Sequence, residues 1–243
     1  MTAFSDPHSP AYARVAGLGY LVIAVAGGFS IAYMPSVVFA PDLGQTLLQR
    51  IAEHRALFLW GIGGDVVMML AELMVTAMLF FMFRAAHPTL SLIAALARFA
   101  MVAVMAAMLL FYAGLAGLAA PGLAFVSFSP EQTDALAHLL LYIHDSGVWV
   151  WQLFFAAHLA ALGALILRSG LYPRLLGWGL ALGGLGYALD SLYAFALPEA
   201  ELIGQLRIGL LALVTVSEVG FALWLVFKGP QAKGATLKLA HVA

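Results

Sequence analysis

Six runs of about 20 or more mostly apolar residues dominate the chain, at roughly 13–34, 57–83, 91–118, 146–168, 175–196 and 206–227. At 1.5 Å per helical residue, a run of that length crosses the ~30 Å hydrocarbon core of a bilayer. Inside that core each backbone N–H and C=O must be satisfied within the protein, which leaves helices or closed barrels. The runs are too long, and too free of strict alternation, for barrel strands. The expected fold is all-α. It is a polytopic transmembrane helical bundle of six spans, a single integral membrane domain over 1–243, with short interfacial helices on the outer side. Composition agrees. Hydrophobic residues make up 64 % of the chain and charged residues 9 %, against about 25 % charged in a soluble domain. So few polar side chains cannot cover a water-facing globule, and the chain is too apolar to be disordered.

The first run exceeds the usual apolar core of a signal peptide and reads as a retained helix. Between runs one and two, Pro41-Asp42 starts a turn and Gln45 to Arg55 reads as a short amphipathic helix. Between runs three and four, Ser129-Pro130-Glu131 carries the marks of a helix start: a capping serine, proline at the first position and an acid in the first turn. That helix is expected to end near His144, with Ser146-Gly147 bending the chain into the fourth span. Basic residues set the orientation. With the N-terminus in the cytoplasm, Arg14, Arg84, Arg168, Arg174, Lys228, Lys233 and Lys238 lie inside, and Arg50, Arg55 and Arg207 outside. Asp42, Glu53, Glu131, Asp134, Asp145, Glu199 and Glu201 all fall outside. This bias leads to the expectation that both termini are cytoplasmic.

Several stretches resemble a known family. They are Arg14-Val-Ala-Gly-Leu-Gly-Tyr20, Asp42 with Thr46 and Ile51, Phe154-Phe-Ala-Ala-His158, and the loop Arg168-Ser-Gly-Leu-Tyr-Pro-Arg174 running on to Gly177. Gly184-Leu-Gly-Tyr-Ala-Leu-Asp190-Ser191, and Glu218 with Leu223-Trp224-Leu225 and Lys228-Gly229, complete the pattern. From about Arg14 to Gly229 the chain resembles a bacterial multi-spanning family catalogued only as a domain of unknown function. The resemblance implies an inner-membrane protein of six or seven spans and brings no activity with it.

Function must therefore be read from the ionisable groups inside the spans, each costly to insert. These are Asp65 and Glu72 in span two, Arg98 in span three, His158 in span four, Asp190 in span five and Glu218 in span six. Counting residues puts Glu72, His158 and Glu218 near the midplane and Asp65 and Asp190 in the outer half. Asp65 and Glu72, seven apart, share a helix face. His144, Trp151 and His158 form a stripe if their helix is continuous. Gly179, Gly183, Gly186 and Asp190 form a small-residue stripe that lets another helix approach closely. The expectation is one polar cavity lined by Asp65, Glu72, His158, Asp190 and Glu218, with Arg98 within reach of a carboxylate. Packing readings stand beside it. Arg98 pairs with Glu72 or Glu218 in a buried ion pair, His158 is a hydrogen-bonded packing residue, Asp65 accepts from neighbouring hydroxyls, and Arg207 is a snorkelling anchor.

Several chemistries are excluded. With no cysteine there is no disulfide, thiolate metal site or covalent haem. No HExxH, GxSxG or phosphate-binding glycine loop occurs. A net charge of −1 offers no basic surface for nucleic acid. Three classes remain. The first is a protein that binds or transports a small ligand, ion or proton through the carboxylates and His158; as a homodimer it would supply the second half that a six-span transporter lacks. The second is an intramembrane hydrolase acting on a lipid-like substrate, with a divalent metal ion as cofactor on His158, Asp65, Asp190, Glu72 or His144. The third is a structural or accessory subunit, embedded in the lipid bilayer as its partner, whose polar groups only lock helix packing.

Overall fold

The computed structural model describes residues 6–41, 44–120 and 128–231. Among these residues the chain is helical, with no strand. The first span comprises α1 (Pro10–Gly27), a π-helical segment (Gly28–Tyr33) and α2 (Met34–Val38). The short α3 (Leu47–Glu53) precedes α4 (Arg55–Phe83), α5 (Pro88–Leu118), α6 (Pro130–Ser169), α7 (Arg174–Phe195) and α8 (Glu201–Phe227). The first span and α4 to α8 are each long and apolar enough to cross a membrane. Large apolar side chains such as Val25, Trp60, Leu110, Val216 and Phe227 are exposed, as lipid-facing positions must be.

Two boundaries differ from the sequence expectation, each for a local reason. The first span does not stop before Pro35. Proline lacks an N–H and crowds the carbonyl four residues earlier, which here belongs to Ile31. The π turn at Gly28–Tyr33 absorbs that conflict, and Pro35 sits in the first turn of α2, where no donor is required. Nor does the helix end near His144: α6 is one continuous helix of 40 residues through Ser146-Gly147. The Ser146 hydroxyl donates back to the Tyr142 carbonyl (2.7 Å), and Gly147 lies against the Met108 side chain. The α6 start follows the expected signals. Ser129 Oγ accepts from the Gln132 N–H (3.2 Å) while the Ser129 N–H donates to Gln132 Oε1 (2.9 Å), a reciprocal cap. Thr46 and Gln49 cap α3 in the same way. The expected turn at Pro41-Asp42 falls partly outside the described residues.

The chain divides into two compact units. The first comprises 1–21, 71–102 and 149–243. In it α7 is packed on two sides through glycines. Gly179, Gly183 and Gly186 lie against Ser217, Val214 and Leu210–Leu211 of α8, and Gly177 and Gly184 lie against Gly163 and Leu159 of α6. The expected small-residue stripe of α7 thus meets α8. The loop from α6 to α7 turns on Gly170, whose φ of 65° suits glycine. The loop is then held by Leu171 N–H to Ser169 Oγ (3.2 Å), Gln231 N–H to the Leu171 carbonyl (2.8 Å) and the Tyr172 hydroxyl on Met82 Sδ (2.8 Å).

The second unit comprises 22–70 and 103–148. Its core is Met34, Val38, Leu47, Ile51, Phe58, Tyr112, Leu115 and Ala137. The Phe58 and Tyr112 rings pack 5.2 Å apart, and Phe39 touches both.

Candidate functional site

The site in the first unit is built around Arg98 of α5, only 1 % exposed. Its Nε–H donates to Glu72 Oε2 of α4 at 2.5 Å, a buried ion pair. Its Nη1 donates to the Tyr20 hydroxyl of α1 at 2.8 Å and reaches His158 Nε2 of α6 at 3.1 Å. The other ring nitrogen of His158, Nδ1, lies 2.8 Å from the Ala94 carbonyl. A carbonyl only accepts, so Nδ1 carries the proton. Nε2 then offers its lone pair to the guanidinium, and the imidazole is the neutral Nδ1–H tautomer. The cation also lies over the Tyr20 ring at 4.8 Å and the Phe155 ring at 5.8 Å. His158 stacks parallel to Phe155 at 5.8 Å. Four spans therefore converge on one guanidinium. A narrow cavity of about 10 Å³, room for one water molecule, lies beside His158 between Thr76, Ser91 and Leu162.

Glu218 of α8 lies beside this group. Its carboxyl accepts a hydrogen bond from the Tyr187 hydroxyl of α7 and feels the charges of Arg98 and Glu72. Tyr187 is in turn within electrostatic reach of Glu72 and Asp190. Asp190 is paired with Arg207 of α8, whose guanidinium lies 4.2 Å from the Tyr193 ring centroid. The Arg207 anchor is thus an ion-pair partner, because α7 and α8 lie in direct contact along the glycine stripe.

Among the sequence-selected residues, the first unit holds Glu72, Arg98, His158, Asp190 and Glu218. It joins Glu72, Arg98 and His158 directly. These three fill the space between their helices with one another, where the sequence suggested the wall of a cavity. Asp65 and His144 belong to the second unit. There the Asp65 carboxyl is hydrogen-bonded to Ser30. His144 stacks on Tyr112 (3.5 Å, 10°), with its Nδ1 3.2 Å from Asp145 Oδ1. Among the described residues no group of three or more His, Asp or Glu side chains is placed to hold a metal ion. Both ring nitrogens of His158 are already engaged. Sequence reasoning missed Tyr20, Tyr187 and Ser30. Tyr187 carries a usable signal: it stands three residues before Asp190, one turn away on the same side of α7.

The fold and the site define a class: an all-α, multi-pass membrane protein with an ionised, hydrogen-bonded network buried among its spans. The family model for a domain of unknown function, DUF4386, matches residues 15–229. The chain belongs to that family. No curated protein and no solved structure matches it significantly.

Proposed function

We propose that the protein is a membrane binding or transport protein that takes up and releases a proton, or a small cationic ligand, on the carboxylates of its spans. The observation that carries this reading is a charge count. Glu72 and Glu218 share one guanidinium, Arg98, and Arg98 is committed to Glu72. Among the described residues Glu218 has no basic group at ion-pair distance and takes only the Tyr187 hydroxyl. One carboxylate charge left without a counter-charge is expensive away from water. A proton or a cation on Glu218 removes it. Tyr187 stands within reach of Glu218, Glu72 and Asp190, so the three carboxylates form a series that ends at the partly exposed Arg207. The basic bias supports a reading in which both termini lie on the cytoplasmic face, and the family resemblance one in which the membrane is a bacterial inner membrane.

The test is proton flux into proteoliposomes containing a pH-sensitive dye, driven by an imposed potassium potential. Wild type is expected to acidify the lumen and Glu218→Gln to fail. Equal rates in the two would sink the proposal. A second reading is favoured by the saturation of Arg98: its Nε and Nη1 contacts reach α4, α1 and α6. On that reading the network only locks helices, as in an accessory subunit. Equal flux would then accompany a stability loss confined to Arg98 and Glu72 variants.

A further inference from the structure

We infer that Arg50 of α3 and Asp134 of α6 form the two ends of a binding site for a small zwitterion of the phosphoethanolamine kind, with the phosphate on the guanidinium and the primary ammonium on the carboxylate. The site lies within the second unit, apart from the Arg98 network, and does not depend on the function proposed for that network.

A cavity of about 530 Å³ opens between the chain leading into α3, α3 itself and the first turns of α6. That volume falls in the range of small-molecule sites. Local sequence sets its walls. Thr46 caps α3 and Ser129 caps α6. Leu47 and Ile51 of α3 enter the same core as Ala137 of α6. With those apolar positions fixed, Arg50 on α3 and Asp134 and His138 on α6 border the cavity.

Hydrogen-bond accounting shows what the cavity lacks. Arg50 Nη1 donates to the Ala40 carbonyl. Its Nε is shut off from water and has no hydrogen-bond partner, and the same holds for Asp134 Oδ1. Asp134 Oδ2 lies 3.7 Å from His138 Nε2, one turn on, which is beyond hydrogen-bond reach. A half-turn of the carboxylate exchanges its two oxygens, so the unmet acceptor is open to the cavity. The neighbouring polar side chains are spent locally. Gln45 Nε2 donates to Glu53 Oε2 (3.0 Å), and Thr46 Oγ1 accepts from the Gln49 N–H (3.3 Å). Among the described residues Arg50 has no ion-pair partner, and Arg50 and Asp134 do not pair with each other although they line one cavity.

This pattern selects the ligand. One positive and one negative group border the space, so a ligand carrying both signs leaves no charge unmatched. A simple anion would meet the Asp134 charge, and a simple cation the Arg50 charge. The planar guanidinium presents parallel N–H groups that fit two phosphate oxygens. The Asp134 oxygen lacks a hydrogen donor, which a primary ammonium brings and a quaternary one does not. Because the two protein groups stand apart on different helices, the ligand's charges must also stand several bonds apart. Phosphoethanolamine meets that condition; an α-amino acid, with both charges on one carbon, does not.

The test is binding of radiolabelled O-phosphoethanolamine to the full-length protein in detergent. A second arm uses nanodiscs of phosphatidylethanolamine, phosphatidylcholine and phosphatidylglycerol, with the lipids retained on extraction counted by native mass spectrometry. Wild type is expected to bind the free compound, to retain phosphatidylethanolamine over phosphatidylcholine, or both. Binding in the first arm alone assigns a free solute, and retention in the second alone assigns a lipid headgroup. Arg50→Gln and Asp134→Asn should each bind about tenfold more weakly, the loss of one charge-assisted contact. Glu218→Gln should bind as wild type does, so this site and the proposed proton function fail separately. If Arg50→Gln fails to fold, the isosteric Asp134→Asn carries the test. Neither half of the ligand, inorganic phosphate or ethanolamine, should compete at concentrations where O-phosphoethanolamine does. No binding in either arm, binding unchanged in both variants, or inorganic phosphate competing as well as the whole zwitterion would overturn the site.

Discussion

Arg98 shows what a single residue carries here. Its guanidinium meets Glu72, Tyr20 and His158 at once. Arg98→Met leaves the Glu72 charge buried without a partner, a change that typically costs about 3–5 kcal/mol. The double variant Glu72→Leu/Arg98→Met removes both charges and should recover most of that loss, because an apolar pair of similar volume replaces a buried ion pair at little cost. Arg98→Lys should fall between: an ammonium keeps the charge but cannot present the planar fork that reaches three partners. Unfolding midpoints of the four proteins check this as a double-mutant cycle; a double variant as unstable as Arg98→Met would contradict the lone-charge argument. The depth of these groups was legible by counting residues along each run, and the Arg98–Glu72 pair was one of two partnerships the sequence left open. The Tyr20 contact and the Arg207–Asp190 pair were not legible. Each depends on how one helix is rotated against another, and hydropathy along a single helix carries no such term. Asp190 and Arg207 are 17 residues apart, on antiparallel neighbours whose register is set by the glycine contacts between them.

At the scale of the element, α7 is held by what its glycines lack. A β-carbon on Gly183 would stand 2.7 Å from the Cα and N of Val214, backbone atoms that cannot rotate away. Gly183→Leu should therefore push α8 off α7 and lower stability by roughly 1–3 kcal/mol. It should also loosen the Asp190–Arg207 pair on the same seam. Gly117→Ala is the matched control: a β-carbon there meets nothing within 4 Å. Equal melting temperatures for Gly183→Leu and Gly117→Ala would show that the seam yields. The stripe itself was legible from its four-three-four spacing, and the structure supplied its partner. Helix ends were less legible where side chains overrule propensity. Ser146-Gly147 reads as a breaker by composition, yet Ser146 bonds back along α6 and Gly147 makes room for Met108. Pro35 reads as a stop, yet the π turn before it takes up the conflict.

The basic residues are unevenly divided between the two ends of the spans, and that bias carries the proposed orientation. Arg14, Arg84, Arg168, Arg174 and Lys228 fall at one set of helix ends, and Arg50, Arg55 and Arg207 toward the other. Six crossings return the chain to the face it started from. On the proposed orientation that face is the cytoplasmic one. The orientation bears on function: with the termini inside, Arg207 lies about 9 Å along α8 from its outer start at Glu201. The Asp190–Arg207 pair is then the end of the carboxylate series that faces out. The absence of cysteine from the sequence makes a clean measurement available, since any introduced thiol is unique. Gln45, on the exposed connection before α3, and Lys228, exposed after α8, lie on opposite faces if the span count is right. Gln45→Cys should react with a membrane-impermeant maleimide in intact cells. Lys228→Cys should react only after the membrane is opened. The reverse pattern would invert the orientation and turn the carboxylate series toward the cytoplasm. Labelling of both sites in intact cells would break the six-span count itself, because only an odd number of crossings between Gln45 and Lys228 separates them.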